Sequence, residues 1–581
     1  MQQGLQKRWV LTPSASADDL SHLGVASPLL AQLLWNRGIR TASEAQTFME
    51  PRWEDHLHDP TQFRHMDGAI EAVFHALETR ERITVHGDYD ADGVTGSTVL
   101  ISTLRDIEAL MHPGQGTRVD SYIPHREKEG YGLHRDTIDK LLARETRLVI
   151  TVDCGIACVE EIALAHERGL QTIVVDHHEF GETLPVGHLI HPGIPGETYP
   201  FSSLAAVGVS YKFATVLFAR ARERGLAIPE GAEKWLLDLV AIATVTDMVP
   251  LVGENRLLEI YGLRVLNKTR RIGLQALLRS AGVLGKPIDT ETIGFTIGPR
   301  LNAAGRMDHA SIALNLLLAQ TQEEADEYAR DIERCNRERQ EATKRMMVEA
   351  EEQLAAQADA PMIVVWNESW SPSLVGLVAG RFLEKYWKPV VAIGSHGGTW
   401  IGSGRCMESF HVTNAVRHAG EGILTRAGGH KQACGFALTN RDQLPIFAER
   451  LHAYTAEHAT DDMCLPTLKI EAEIPLRMVT VQEARQIDAL QPFGEGNRGP
   501  IFCARRCVVA SIDLMGATQK HVRLQLVDED GRRVKMVGFN QSHHMERVRA
   551  GSTIDIAFTF ALNEWQGRTS AEGRIVDIAV H

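Results

Sequence analysis

The chain has 581 residues, 44% of them hydrophobic and 23% charged, with a formal charge of −14. That length exceeds what one hydrophobic core serves, so about three to five domains are expected, in an ordinary globular composition. No apolar run nears the roughly 20 residues of a membrane span. The opening "MQQGLQKRWVLTPSASADD" lacks a signal-peptide core, and eight cysteines in so long a chain make no disulfide framework, so a cytoplasmic protein is expected. The negative charge argues against nucleic-acid binding only as a global sum, because binding depends on local patches.

Residues 1–80 read as a mostly helical N-terminal lead-in, with apolar positions recurring through "LLAQLLWNRGI" and "AIEAVFHALE". From residue 81 short apolar strands ("RITVHGD", "RVDSYIP", "RLVITVDCG", "LQTIVVDHH") alternate with amphipathic helices. This rhythm predicts an open parallel sheet covered by helices on both faces. Residues 203–320 look mainly helical and complete an 81–320 unit. No Gly or Pro occurs between Gly305 and Pro361, and dense charges of both signs predict a long connecting helix over 321–357. A second, smaller α/β unit follows over 358–460, rich in Gly between Gly394 and Gly435. Over 461–581 five short strands alternate, which fits a β-barrel of the OB type.

Ligands of open α/β sheets bind beyond the carboxyl ends of the strands. Here "ITVHGDYDAD" delivers His86, Asp88, Asp90 and Asp92, "LVITVDCG" Asp153, and "TIVVDHH" Asp176, His177 and His178, while "AIATVTDMVP" adds Asp247. One Asp after a strand is commonly a turn or helix cap. Acids and imidazoles at three consecutive strand ends point instead to a metal site. Oxygen-rich ligation with one or two imidazoles suits Mn²⁺ or Mg²⁺, and the surplus of carboxylates suits two ions, the arrangement that hydrolyses phosphoesters. Other chemistries are excluded: "GDYDADGVTGS" has no Lys before its Ser, so it is no P-loop, and "DHHEF" lacks HExxH spacing. Cys154 with Cys158 and Cys503 with Cys507 read as reduced packing residues.

The motifs "HGDYDADG", "YIPHREKEGYGL", "TVDCG", "VVDHH", "ATVTDMVPL", "GPRLNAAGR", "GSGR" and "AGGHKQACGF" together resemble the DHH phosphoesterase superfamily, and within it the RecJ-like single-strand-specific exonucleases. The resemblance implies a DHH catalytic domain, a long helix, a DHH-associated domain and a terminal OB-fold. It implies two divalent ions held by Asp90, Asp92, Asp153, His177 and Asp247, with Asp153 bridging. Asp88 fits the same motif, and His86 matches the imidazole ligand of the wider superfamily. His178 is placed for a phosphate contact or proton transfer, with Asp176 orienting its neighbours.

By the same resemblance Arg306, Ser403 and Arg405 hold substrate phosphates with His430 beside them, and Arg126 and Tyr131 line the entrance. Gly402, Gly404, Gly428 and Gly429 would let the backbone approach the substrate closely. The charge objection is met locally: between Arg498 and Arg549 ten Lys or Arg face five Asp or Glu, a net of +5. Arg505–Arg506 and Arg532–Lys535 would track a phosphate backbone, with Phe539 or Trp565 as stacking groups.

The expected activity is 5′-to-3′ hydrolysis of single-stranded DNA to 5′-mononucleotides in repair and recombination, by a monomer working with a helicase and a single-stranded-DNA-binding protein. The alternatives are a DHH phosphodiesterase for short oligonucleotides or cyclic dinucleotides, which needs no barrel, and a non-catalytic single-strand-binding scaffold, which needs no intact carboxylates.

Overall fold

Five parallel strands organise the first lobe: β1 (Arg82–Gly87), β2 (Val119–Tyr122), β3 (Thr146–Val152), β4 (Gln171–Val175) and β5 (His188–Ile190), in the order β2-β1-β3-β4-β5. The computed structural model describes residues 2–357, 359–460, 463, 465–565 and 567–581, with side chains for all of these except residues 2, 3, 356, 544 and 565. Alternate residues of the strands feed two cores. Leu148, Ile150 and Val152 join one, and Val149 joins the other with Val174 and Leu189. Both faces are therefore buried, which is why these strands read as continuous apolar runs. The strand order reverses beside β1, so a crevice opens at the carboxyl ends of β1 and β3.

Four helices matter to that crevice: α1 (Ala91–Met111), α2 (Ala206–Glu223), α3 (Leu237–Thr246) and α4 (Gly298–Met307). The uninterrupted charged stretch forms α5 (Gln322–Leu354), started by a capping box between Thr321 and Glu324. Its first half buries Ala325, Ala329 and Ile332 in the first lobe, and its last turns bury Met346 and Ala350 in the second. At 1.5 Å per residue it is a stiff spacer roughly 50 Å long. The second lobe is a mixed sheet of β6 (Ile363–Trp366), β7 (Val390–His396), β8 (Thr399–Arg405), β9 (Arg426–Gly429) and β10 (Ala433–Leu438), ordered β9-β10-β8-β7-β6. Helix α6 (Pro372–Tyr386) packs on it.

Strands β11 (Phe502–Met515), β12 (His521–Val527), β13 (Arg533–Gly538), β14 (Thr553–Trp565) and β15 (Arg568–Val580) close in the order β11-β12-β13-β15-β14-β11. Of these five only β13 and β15 pair in parallel, which gives an OB-type barrel. The expectation of a helical lead-in needs correction at its start. Arg8–Leu11 is a strand that pairs in parallel with Thr467–Ile470. The Trp9 indole donates to Asp577 at 2.8 Å, and Leu33, Leu34 and Ala45 share one core with Phe502, Leu524 and Phe558. The stretch from Leu23 to Ala45 thus packs with the barrel, while Phe63, Ile70, Phe74 and Leu77 belong to the first-lobe core. Nothing local in the sequence announces a strand partner so far along the chain.

Arg256 fastens that assembly to the first lobe. Its buried guanidinium donates to the carbonyl oxygens of Phe48, Leu490 and Gln491, at 2.7, 3.0 and 2.7 Å. Among the described residues no helix is long and apolar enough to cross a membrane.

Candidate metal centre

The crevice is lined by acids for local reasons. Asp90 is the N-cap of α1, accepting the N–H groups of Asp92 at 2.9 Å and Gly93 at 3.2 Å. A side chain at residue 93 would collide with the Asp88 backbone, its Cβ 2.7 Å from Cα, so glycine lets the turn fold tightly over Asp88. Asp92 reaches across to the start of α2, where its two oxygens accept the N–H groups of Ala206 and Val207 at 2.7 and 2.8 Å. Asp153 follows β3 with φ of 62°, a left-handed backbone uncommon for a residue with a side chain. Asp247 ends α3.

These residues converge on His177. Its Nε2 lies 3.4 Å from Asp153 Oδ1, 3.6 Å from Asp247 Oδ2 and 3.8 Å from Asp92 Oδ2. Asp88, Asp90 and Asp153 form an adjoining group, as do Asp153, His177 and His178. Asp153 is common to two of the three groups. The clustered carboxylates oppose one another's ionisation. Burial, then the Asp90 charge, pushes Asp92 up to about 7, and burial, then Asp92, pushes Asp247 up to about 9. Burial first and facing carboxylates second also raise Asp88 and Asp153. Burial, then His178, lowers His177 to about 4.

The cluster fits divalent ions. Asp88 Oδ1, Asp153 Oδ1 and His177 Nε2 are buried without a hydrogen-bond partner among the described residues. Donors about 2.1 Å from a shared cation lie about 3–4 Å from one another, the spacing found around His177. A cation would restore the ionised carboxylates and keep the imidazole neutral.

His178 differs. Its Nδ1 lies 2.9 Å from Asp176 Oδ1 and 3.6 Å from Asp153 Oδ1. Burial works to lower its pKa, but the hydrogen bond and charge of Asp176 outweigh this and raise it to about 9. Asp176 also accepts the N–H groups of Ile156, His177 and His178, at 3.0, 2.8 and 3.2 Å, and so ties the β3 and β4 loops together.

His86 stands apart from these groups, although its Nε2 is likewise buried without a hydrogen-bond partner among the described residues. Its ring stacks on Tyr122 with centroids 5.6 Å apart, and its Nδ1 faces Cys154 Sγ at 3.6 Å. Among the described residues it joins none of the groups that gather ligand atoms.

The expected substrate contacts lie along the gap between the lobes. The Arg126 guanidinium covers the Tyr89 ring at 4.4 Å, and Tyr131 donates to the Asp153 carbonyl at 3.0 Å, with His178 Nδ1 3.2 Å away. Arg306 donates across the gap to the Ser373 carbonyl at 2.8 Å, and burial, then the nearby Arg126 charge, lowers it to about 9. On β8 the Arg405 guanidinium donates to Ser403 Oγ at 2.9 Å. His430 Nδ1 lies 3.4 Å from Glu179 Oε1 of the first lobe. Two glycines expected to admit substrate serve packing instead. A Cβ at Gly402 would stand 2.1 Å from the Phe436 ring, and one at Gly404 2.7 Å from Val412 and Cys434. On the barrel, Arg505 pairs with Glu473 and Asp555, Arg506 with Glu529 and Lys535 with Glu572, so these cations are partly answered within the protein. Phe539 is exposed against the His521 ring, while the side chain of Trp565 lies outside the described residues.

Some contributors were missed from sequence. Asn302, inside "GPRLNAAGR", accepts the Ala91 N–H at 2.8 Å and so fixes the acidic turn. The Ala206 and Val207 amides carry no side-chain signal. A cavity of about 900 Å³ runs from Asn302 and Arg306 to Phe560 and Arg574 on the barrel, passing the exposed Phe295.

A parallel sheet with an acid-and-imidazole cluster at its switch point, tied by one helix to a second lobe, defines a DHH-type phosphoesterase. Family models agree: the DHH family N-terminal domain matches residues 82–244, the DHHA1 domain 359–457 and the RecJ OB domain 470–577. The single-stranded-DNA-specific exonuclease RecJ of Bacillus subtilis (strain 168) is 36% identical over 559 residues, covering 95% of this chain and 68% of that protein. RecJ of Escherichia coli (strain K12) is 30% identical, covering 94% of each. The crystal structure of RecJ in complex with Mn²⁺ from Thermus thermophilus superposes with a TM-score of 0.81 at 28% identity, covering 98% of this chain and 79% of that one. The corresponding Mg²⁺ complex gives 0.76 at 27%, covering 98% and 78%. The chain belongs to the RecJ family of single-stranded-DNA-specific exonucleases.

Proposed function

We propose that this chain degrades single-stranded DNA from the 5′ end and releases 5′-mononucleotides, refining the metal-dependent exonuclease activity of its family. The observation that carries this reading is the opposition of two sites across the gap. The first lobe presents the carboxylate cluster, and the second presents Ser403 and Arg405 with Arg306 reaching towards them. A 5′-phosphate held by that basic group would set the next phosphodiester over the acids.

Asp88, Asp90, Asp92, Asp153, His177 and Asp247 would hold Mn²⁺ or Mg²⁺. Bound there, two such ions supply Lewis acidity to the phosphate and a lowered pKa to a water. His178, oriented by the hydrogen bond between its Nδ1 and Asp176, would offer its other ring nitrogen to a phosphate oxygen as charge develops on it. Tyr131 holds the Asp153 backbone and stands over His178. The cavity leading to the barrel accommodates the following nucleotides, and its presence favours long strands over short oligonucleotides or cyclic dinucleotides. We extend the reading to repair and recombination in the cytoplasm, where a helicase and a single-stranded-DNA-binding protein would supply strands to a monomer.

Incubation of end-labelled single and double strands with Mn²⁺ tests the proposal. Mononucleotides should appear at once from 5′-labelled single strands and late from 3′-labelled ones. The reverse order, or equal cutting of duplex, overturns it.

A further inference from the structure

The segment His125–Gly132 leaves the carboxyl end of β2 and crosses the gap. There Glu127 meets the N-terminus of α6: its Oε1 accepts the hydroxyls of Ser371 at 2.7 Å and Ser373 at 2.9 Å. Ser371 is the N-cap of α6 and itself accepts the Ser373 N–H at 3.2 Å. His396, ending β7, faces Glu127 Oε2 at 3.7 Å. A carboxylate at a helix N-terminus is favoured by the unpaired N–H groups and dipole there. Burial opposes the charge, but the hydrogen bonds from Ser371 and Ser373 hold the carboxyl below its ordinary value. The contact joins two lobes otherwise spaced by α5.

The same first turns of α6 touch the basic pocket. A Cβ at Gly376 would lie 3.4 Å from both Arg405 Nη2 and Ser403 Oγ, so the helix rests directly against them. The Ser373 carbonyl takes the Arg306 hydrogen bond described above. One helical segment therefore bears on Arg306, Ser403 and Arg405, and its end is gripped by a carboxylate from the other lobe. The residues on either side of Glu127 in the same segment, Arg126 over Tyr89 and Tyr131 over Asp153, sit at the carboxylate cluster.

We propose that Glu127 is a positioning residue that caps α6 across the gap and so sets the distance between the Arg306–Ser403–Arg405 pocket and the carboxylate cluster. It touches neither substrate nor cation. It acts by holding α6, and through α6 the pocket, in register with the cluster, which makes it a determinant of 5′-end recognition. This rests on the reading of that pocket as the 5′-phosphate site.

The test compares E127A, E127Q, the double variant S371A/S373A and the triple combination, with R405A as reference, on 5′-phosphorylated and 5′-hydroxyl single strands. E127A and S371A/S373A should each raise KM for phosphorylated strands about tenfold while kcat stays within about twofold. The triple variant should lose no more than either, because the groups form one contact. E127Q keeps an acceptor oxygen without the charge and should fall between. Hydrogen–deuterium exchange across residues 369–377 gives a reading independent of catalysis and should quicken in E127A. Additive losses, unchanged exchange, or faster exchange with unchanged KM overturns the proposal. If R405A loses the preference for phosphorylated ends and E127A keeps it, the positioning role of Glu127 fails and the pocket stands. If R405A keeps the preference, the pocket reading itself fails.

Discussion

Helix α2 serves two buried carboxylates, and their surroundings are opposite. Its first turn holds Asp92 beside four other acids, where Asp88 Oδ1, Asp153 Oδ1 and His177 Nε2 have no hydrogen-bond partner among the described residues. Further along, Lys212 meets Glu254 with every oxygen answered: Lys212 Nζ at 2.6 Å, the His58 N–H at 2.9 Å and the Tyr199 hydroxyl at 2.5 Å. Both regions bury charge in one core, yet only one is complete. A finished ion pair specifies how the helices dock, whereas an unfinished cluster stores repulsion that a cation relieves.

Asp153→Ala breaks the unfinished side and carries the largest effect. Hydrolysis should fall at least about a thousandfold, while the metal-free melting temperature stays level or rises and its increase with added Mn²⁺ shrinks. A variant that still hydrolyses with saturating Mn²⁺ removes Asp153 from the site. On the finished side, Lys212→Met leaves Glu254 uncompensated and should cost about 3–5 kcal/mol in denaturant unfolding. Turnover per folded molecule should stay within about twofold; a parallel collapse in turnover would mean that the two regions are not separable. Arg405→Ala should reduce the preference for phosphorylated ends about tenfold, measured as a ratio of kcat/KM values. Equal loss on both kinds of end would place Arg405 outside end recognition. The smallest effect is expected of Phe539→Ala, about fivefold weaker binding of long single strands in a titration, equivalent to about 1 kcal/mol of stacking. Unchanged affinity would mean that this exposed ring does not stack on bases.

The architecture was legible because each strand–helix alternation is written locally. "RITV", "RLVITV" and "QTIVV" are strands at a parallel sheet's core, and the acids after them fall at its carboxyl edge. His86 sits in the same kind of position, but a strand end does not say whether a ring turns to the crevice or onto a neighbour such as Tyr122. In the second lobe, spacing alone did not show that the Gly402 and Gly404 spaces are filled by Phe436 and by Val412 with Cys434. Glu127 stands within "YIPHREKEGYGL", but its partners, Ser371 and Ser373, come from another lobe that no local pattern announces.

The joining of the amino-terminal segment to the barrel has a consequence for synthesis. Trp9 and its acceptor Asp577 stand 568 positions apart. At about 5–20 residues per second a ribosome needs roughly half a minute to two minutes to make the second after the first. Through that interval Leu33, Leu34 and Ala45 have no barrel to cover them, while the parallel-sheet lobe can already fold. The nascent chain should therefore expose a greasy amino-terminal segment until translation is nearly over.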